Sequence, residues 1–210
     1  METTERIVEA YARYVKGCFT LPNVRCDGQR EIDLLAVNVQ SSRVAKRYHI
    51  ESGVSISGPF SRLTNRPFSQ SELRIRVRQA AQRRTLGYFE ERKFDATAVL
   101  SNLAQFGFRP GNYTKVIVTW GWENDVEGAA ATKGIALWDF RNILIEMSQA
   151  CHGRRTYFTD DTMRTLDVMT KALEHASRRT SKATKGREEQ RSRRGQAPHR
   201  SIAQTTTRSR

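Results

Sequence analysis

Between Arg30 and Ile56 the chain reads as two strands joined by a polar turn, Glu31-Ile-Asp-Leu-Leu-Ala-Val37 and Tyr48-His-Ile-Glu-Ser-Gly-Val-Ser-Ile56. Each carries an acid where a half-buried strand wants an apolar or neutral residue. Asp33 is flanked by Ile32, Leu34, Leu35 and Val37, and Glu51 by Ile50 and Val54, so both carboxylates project from well-anchored backbone near the middle of a sheet. Carboxylates placed there are expensive unless a cation offsets them. A fold that accommodates this chain has to bring positive charge to that spot.

The pattern around the pair predicts an α/β fold with a mixed sheet. Thr3 or Thr4 caps a helix running to about Lys16, with Ile7, Val8, Tyr11, Tyr14 and Val15 at helical spacing and Gly17 as its stop. Residues 19–26 read as a strand interrupted by Pro22, hence an edge, and Asp27-Gly28 turns the chain into the strand over 31–38. A turn over 39–44 leads to a third strand over 46–57. Residues 61–107 form an Arg-rich helical insert, within which residues 72–78 alternate in a way that fits strand or helix. Beyond it come a buried strand over 115–120, a helix over 123–133 closed by Gly134, a strand over 135–138 and a helix over 139–150 capped by Asp139. A strand, helix, strand unit of this length implies parallel pairing. A last helix over 159–178 completes a domain assigned to residues 1–176, followed by a basic tail over 177–210.

The formal net charge is +14. Residues 177–210 hold 11 Lys or Arg against Glu188 and Glu189, so +9 of the total lies there and +5 remains for residues 1–176. A field of that sign favours polyanionic partners through counterion release, with nucleic acid first. After Leu173 the tail has no large apolar residue except Ile202, so burial cannot offset its ordering entropy and it is expected to be disordered. It suits a solubilising extension and a nucleic-acid-binding arm equally. Cys18, Cys26 and Cys151 lack CxxC spacing, against a disulfide framework or a zinc site. No stretch approaches the roughly 18 apolar residues of a bilayer span. The expectation is a cytoplasmic protein with no membrane partner.

Hydrolysis of a phosphodiester needs a divalent ion to activate water and neutralise charge on the phosphate, and hard oxygen ligands hold Mg²⁺ best. Asp33 and Glu51 suit that task, and the first helix offers a third carboxylate, Glu9 by preference or Glu5. A helix with Glu, a hairpin, the strand "REIDLLAVN", the strand "RYHIESGVSI" and then alternating helix and strand are similar to the restriction-endonuclease-like, or PD-(D/E)XK, nuclease superfamily over roughly residues 3–150. The resemblance implies a mixed central sheet flanked by helices and a metal-dependent endonuclease acting on DNA. It also implies Mg²⁺, or Mn²⁺, bound by Asp33, Glu51 and Glu9, and a homodimer where two strands are cut.

The superfamily pattern also places a Lys two residues after the strand Glu, and here that position is Gly53. Arg47 and His49 lie on the face of Glu51 by the period of two, Lys46 is on the same strand, and Lys93 or an Arg of the insert could reach in from a helix. Arg62, Arg66, Arg74, Arg76, Arg78, Arg83 and Arg84 are the candidate phosphate contacts. Two alternatives stand beside the nuclease. One is a catalytically impaired protein of this fold that binds nucleic acid; the other is a basic scaffold or assembly protein whose carboxylates are merely ion-paired. His49 and the tryptophans Trp120, Trp122 and Trp138 also suit plain packing.

Overall fold

The computed structural model describes residues 2–39, 45–54, 62–152 and 158–177, and the chain divides into two compact units, Met1–Asp167 and Val168–Arg210. In the first unit, helix α1 (Thr3–Tyr14) buries Val8, Tyr11 and Ala12. Its cap is Glu2 in a reciprocal box with Glu5. Neither expected threonine does this work: Thr4 is buried, and its hydroxyl donates to the Val54 carbonyl at 3.1 Å. Strands β1 (Phe19–Cys26) and β2 (Arg30–Asn38) form the expected hairpin, turned by the positive-φ residues Gly28 and Gln29. Strand β3 (Lys46–Ser52) pairs antiparallel with β2. Strands β4 (Thr114–Thr119) and β5 (Ile135–Asp139) add in parallel, giving the order β1-β2-β3-β4-β5 with Pro22 on an edge strand, where its missing donor is tolerated.

Between β3 and β4 lie the short helices α2 (Gln70–Leu73), α3 (Arg76–Gln82) and α4 (Leu86–Tyr88). Helix α4 runs directly into a π-helical turn, Phe89–Phe94, and α5 (Thr97–Gln105) follows. The ambiguous stretch 72–78 thus resolves as the end of α2 and the start of α3. Helices leave Arg74, Arg76 and Arg78 in water without presenting a charged strand to a neighbour. Helices α6 (Val126–Thr132) and α7 (Phe140–Cys151) flank β5, and Asp139 caps α7 by accepting from the Arg141 amide, as expected.

The period of two divides the sheet's residues between its faces. Leu34, Ala36, Ile50, Val116 and Val118 pack with α1 and α7 through Tyr11, Phe140, Ile143 and Met147. Ile117 and Ile135 pack with Phe89, Phe94 and Val126, while Leu35 meets Val99 and Leu103 of α5. Trp120 and Trp138 pack against the first of these clusters and Trp122 against the second, in keeping with plain packing. Residues 161–167 are helical, and so are residues 168–177, the described part of the second unit. Strand β3 stops at Ser52, so residues 53 and 54 of the expected strand are not part of it, while residues 55–57 and the basic tail beyond 177 lie outside the described residues. Among the described residues, no helix is long and apolar enough to cross a membrane.

Candidate active site

The β2–β3 ladder ends at the pair Leu34 and Ile50. One step further in the same register stand Asp33 and Glu51, and there side chains take over from the ladder. The Ser52 amide donates to Asp33 Oδ2 at 2.8 Å, and the Asp33 amide to Glu51 Oε1 at 3.4 Å. On its other side β3 stays tied to β4, the Gly53 amide donating to the Val118 carbonyl at 2.8 Å. The two carboxylates therefore sit at the fork where β2 leaves β3.

The cation that this arrangement demands is Lys93. Its Nζ lies 2.9 Å from Asp33 Oδ1 and 2.6 Å from Glu51 Oε2, and it donates to the Glu31 carbonyl at 3.2 Å. Glu51 Oε1 has a different partner, His49 Nε2 at 2.8 Å. Lys93 comes from the π-helical turn, whose Asp95 amide reaches back five residues to the Glu90 carbonyl. That wide turn buries both Phe89 and Phe94 and leaves Lys93 at the carboxylates. Ion pairs of Glu90 with Lys133 and of Asp95 with Lys115, both at 2.6 Å, fasten its ends, and Arg30 Nη1 donates to the Arg92 carbonyl at 2.8 Å.

Position 53 has no room for a side chain. A Cβ there would lie 2.8 Å from Phe89 Cζ, so the ring of Phe89 occupies the space that a side chain at 53 would need. The helix that closes this position brings Lys93 one turn further along.

Burial raises Asp33 from its ordinary 3.8 to about 6 and Glu51 from 4.5 to about 7, each only partly countered by the Lys93 charge; Glu51 also pushes Asp33 upward. For Lys93, burial works against the ammonium, but the charges of Glu51 and Asp33 more than reverse this and hold it above its ordinary value. Burial lowers His49 to about 3, so its contact with Glu51 is a hydrogen bond with a neutral ring and not an ion pair. Glu51 Oε2 makes no hydrogen bond of good geometry among the described residues, and the Lys93 ammonium is its electrostatic neighbour. Two carboxylates facing one ammonium leave the site short of positive charge.

Asp33 and Lys93 floor a cleft of about 660 Å³, and Glu51 and His49 lie wholly buried behind them. Its lining includes the cap Glu2 and Glu5 of α1, Glu31 of β2, and Arg76, Gln79 and Ala80 of α3 with Arg83, Arg84 and Arg92. Of the seven arginines proposed for phosphate contact, Arg76, Arg83 and Arg84 line the cleft, whereas Arg62, Arg66 and Arg74 are exposed elsewhere and Arg78 pairs with Glu72 at 2.7 Å. Arg30 and Arg92 line it as well and were missed. Glu9 is turned away, accepting from the Thr20 hydroxyl at 2.9 Å. The helix carboxylate on the cleft is Glu5, raised by burial and also by the Asp33 charge. Arg47 pairs with Val37, four residues up β3 from Glu51, and is not on the cleft. Lys46 is likewise remote, opposite Asn38. His49 does join the site, through Glu51.

Among the described residues, no group of three or more His, Cys, Asp or Glu side chains is arranged to hold a metal ion. The donor set nonetheless fits Mg²⁺, which keeps several waters and is commonly held by one or two carboxylates plus substrate phosphate. Asp33 and Glu51 are two such oxygen donors, both raised by burial.

No family model matches the chain, and no curated protein matches it in sequence. Among solved structures, the crystal structure of a protein of unknown function, AF1548, aligns over 81% of this chain and 96% of that one, at 14% identity with a TM-score of 0.40. That likeness is too slight to carry an argument. The fold and site define an α/β protein with a five-stranded mixed sheet flanked by helices, with a buried Glu51 and a half-buried Asp33 at a strand fork.

Proposed function

We propose that this chain is a metal-dependent nuclease of the restriction-endonuclease-like kind that hydrolyses phosphodiester bonds of DNA, with Asp33, Glu51 and Lys93 as its working groups. The observation that carries the reading is the convergence of Lys93 on both acids, 2.9 Å from Asp33 Oδ1 and 2.6 Å from Glu51 Oε2, beside a Gly53 that has no room for a side chain. The superfamily pattern calls for two acids and a lysine at one place. Here the lysine reaches that place from a helix.

Asp33 and Glu51 would hold Mg²⁺ or Mn²⁺, which when bound supplies Lewis-acid stabilisation and a water of lowered pKa. Lys93 contributes a fixed ammonium beside the attacked phosphate, stabilising charge that grows in the transition state. Arg76, Arg83, Arg84 and Arg92 hold backbone phosphates along the cleft. Glu2, Glu5 and Glu31 also line the cleft and repel a polyanion, so the substrate backbone is held by the arginines and not by this acidic part of the lining.

The test is incubation of supercoiled plasmid, linear duplex, branched DNA and RNA with Mg²⁺, Mn²⁺ or EDTA, beside Asp33→Asn and Lys93→Met. Cutting is expected from the wild type with metal and from neither variant. Undiminished cutting by Asp33→Asn removes this site from the chemistry. Binding without cutting on every substrate turns the reading to a catalytically silent nucleic-acid-binding protein.

A further inference from the structure

His49 and Lys93 divide the two oxygens of Glu51 between them, and only the lysine is accounted for by the chemistry above. His49 and Glu51 stand two residues apart on one face of β3, and both side chains are wholly buried. When Glu51 is ionised to hold a cation it only accepts, and the hydrogen of the 2.8 Å contact then sits on Nε2. Nδ1 then carries a buried lone pair that finds no partner among the described residues. An apolar ring at position 49 would fill the space without that unsatisfied atom, so packing alone does not explain a histidine here. The imidazole is braced edge-on by Phe94, with centroids 4.9 Å apart and planes at 83°. Phe94 follows Lys93 in the π-helical turn, so one element fixes the partners of both Glu51 oxygens.

We propose that His49 is a positioning residue that pins Glu51 Oε1 through its Nε2–H, so that Oε2 alone is presented to the cation in a fixed direction. This rests on the nuclease reading of the site. Without it, Oε1 keeps only the long 3.4 Å bond from the Asp33 amide, and the carboxylate turns more freely about its terminal bond and must be ordered again each time a cation binds. Hydrogen bonds to metal-ligating side chains are typically worth about 10- to 100-fold in metal affinity.

Mn²⁺ titration calorimetry on the full-length wild type, His49→Phe, His49→Gln and Asp33→Asn, with plasmid cleavage and a thermal melt alongside, tests this. His49→Phe is expected to fold and to bind Mn²⁺ about 10- to 100-fold more weakly, while His49→Gln, whose amide still donates, recovers most of the affinity. His49→Leu takes the place of His49→Phe should the larger apolar ring not fold. Wild-type Mn²⁺ affinity in the apolar variant, or no recovery in His49→Gln, overturns the positioning role and leaves the nuclease reading in place. A wild type that neither binds Mn²⁺ nor cuts overturns both.

Discussion

Replacing Lys93 by Met keeps an unbranched side chain of similar length and removes the charge and the N–H donors. The loss falls on the wholly buried Glu51 and the half-buried Asp33 at once, because Nζ is the cation within 3 Å of both. Removing one partner of a buried ion pair costs about 3–5 kcal/mol. Part of that is relieved by protonation, since burial already holds Glu51 at about 7 and Asp33 at about 6, and both rise further without the ammonium. A net loss of ~2–3 kcal/mol near neutral pH follows. In a chain of this size that lowers Tm by roughly 5–10 °C.

What a divalent ion does to this variant separates a cation site from a structural ion pair. With Lys93 gone, the carboxylates form an anionic pocket, and an ion at 100 times its Kd returns about 2.7 kcal/mol. Melting followed by scanning calorimetry in EDTA and in Mg²⁺ or Mn²⁺ reads this directly. Lys93→Met is expected to melt well below the wild type in EDTA, to regain most of the difference with metal, and to cut no DNA in either condition. A variant whose melting ignores both ions would refute the reasoning, because the acids would then exist for Lys93 alone. Wild-type cutting by the variant would remove Lys93 from the chemistry.

Gly53→Lys puts a lysine on the strand beside Glu51 but drives a Cβ to 2.8 Å from Phe89 Cζ; it should lower stability by about 1–3 kcal/mol and fail to restore cutting to Lys93→Met, and a stable, active double variant would contradict the packing account. Raised carboxylate pKa values mean that, without metal, the folded state binds more protons than the unfolded one once pH exceeds the ordinary carboxylate range. The stability these groups contribute is thus greatest below about pH 4 and is lost as pH rises through 6 to 7, while Lys93 stays charged throughout. Denaturant melts across that range should show the fall flattened in Asp33→Asn by on the order of 3 kcal/mol, and equal slopes in wild type and variant would disprove it. Changing Arg76, Arg83 and Arg84 together to Ala should reduce the salt dependence of duplex binding by about 0.9 in log–log slope per lost phosphate contact, as read by fluorescence anisotropy, whereas Arg78→Ala, already paired with Glu72, should leave it unchanged.

How much of this was legible follows from how each part of the site is determined. Asp33 and Glu51 stood out because a strand's period of two makes an acid among Ile, Leu and Val conspicuous, and nothing beyond the local pattern is needed to see it. The order of strands and helices was legible for the same reason. Glu5 and Glu9 lie about one helical turn apart, and choosing between them required knowing where α1 meets the sheet: Glu9 falls beside Thr20 of β1, and Glu5, nearer the N-terminus, falls on the cleft. Lys93 was harder still. It lies among many Arg residues of similar appearance, and what selects it is a π-helical turn, whose five-residue reach leaves no distinctive hydrophobic period. A trace of it was nonetheless present in β3. Glycine near the end of a strand marks a close approach of something else, and at Gly53 the visitor is Phe89, one turn before the lysine that the strand lacks. The two acids announced the need for a cation, the glycine marked where a helix would press against the strand, and the identity of the cation depended on contacts between elements that are distant in the chain.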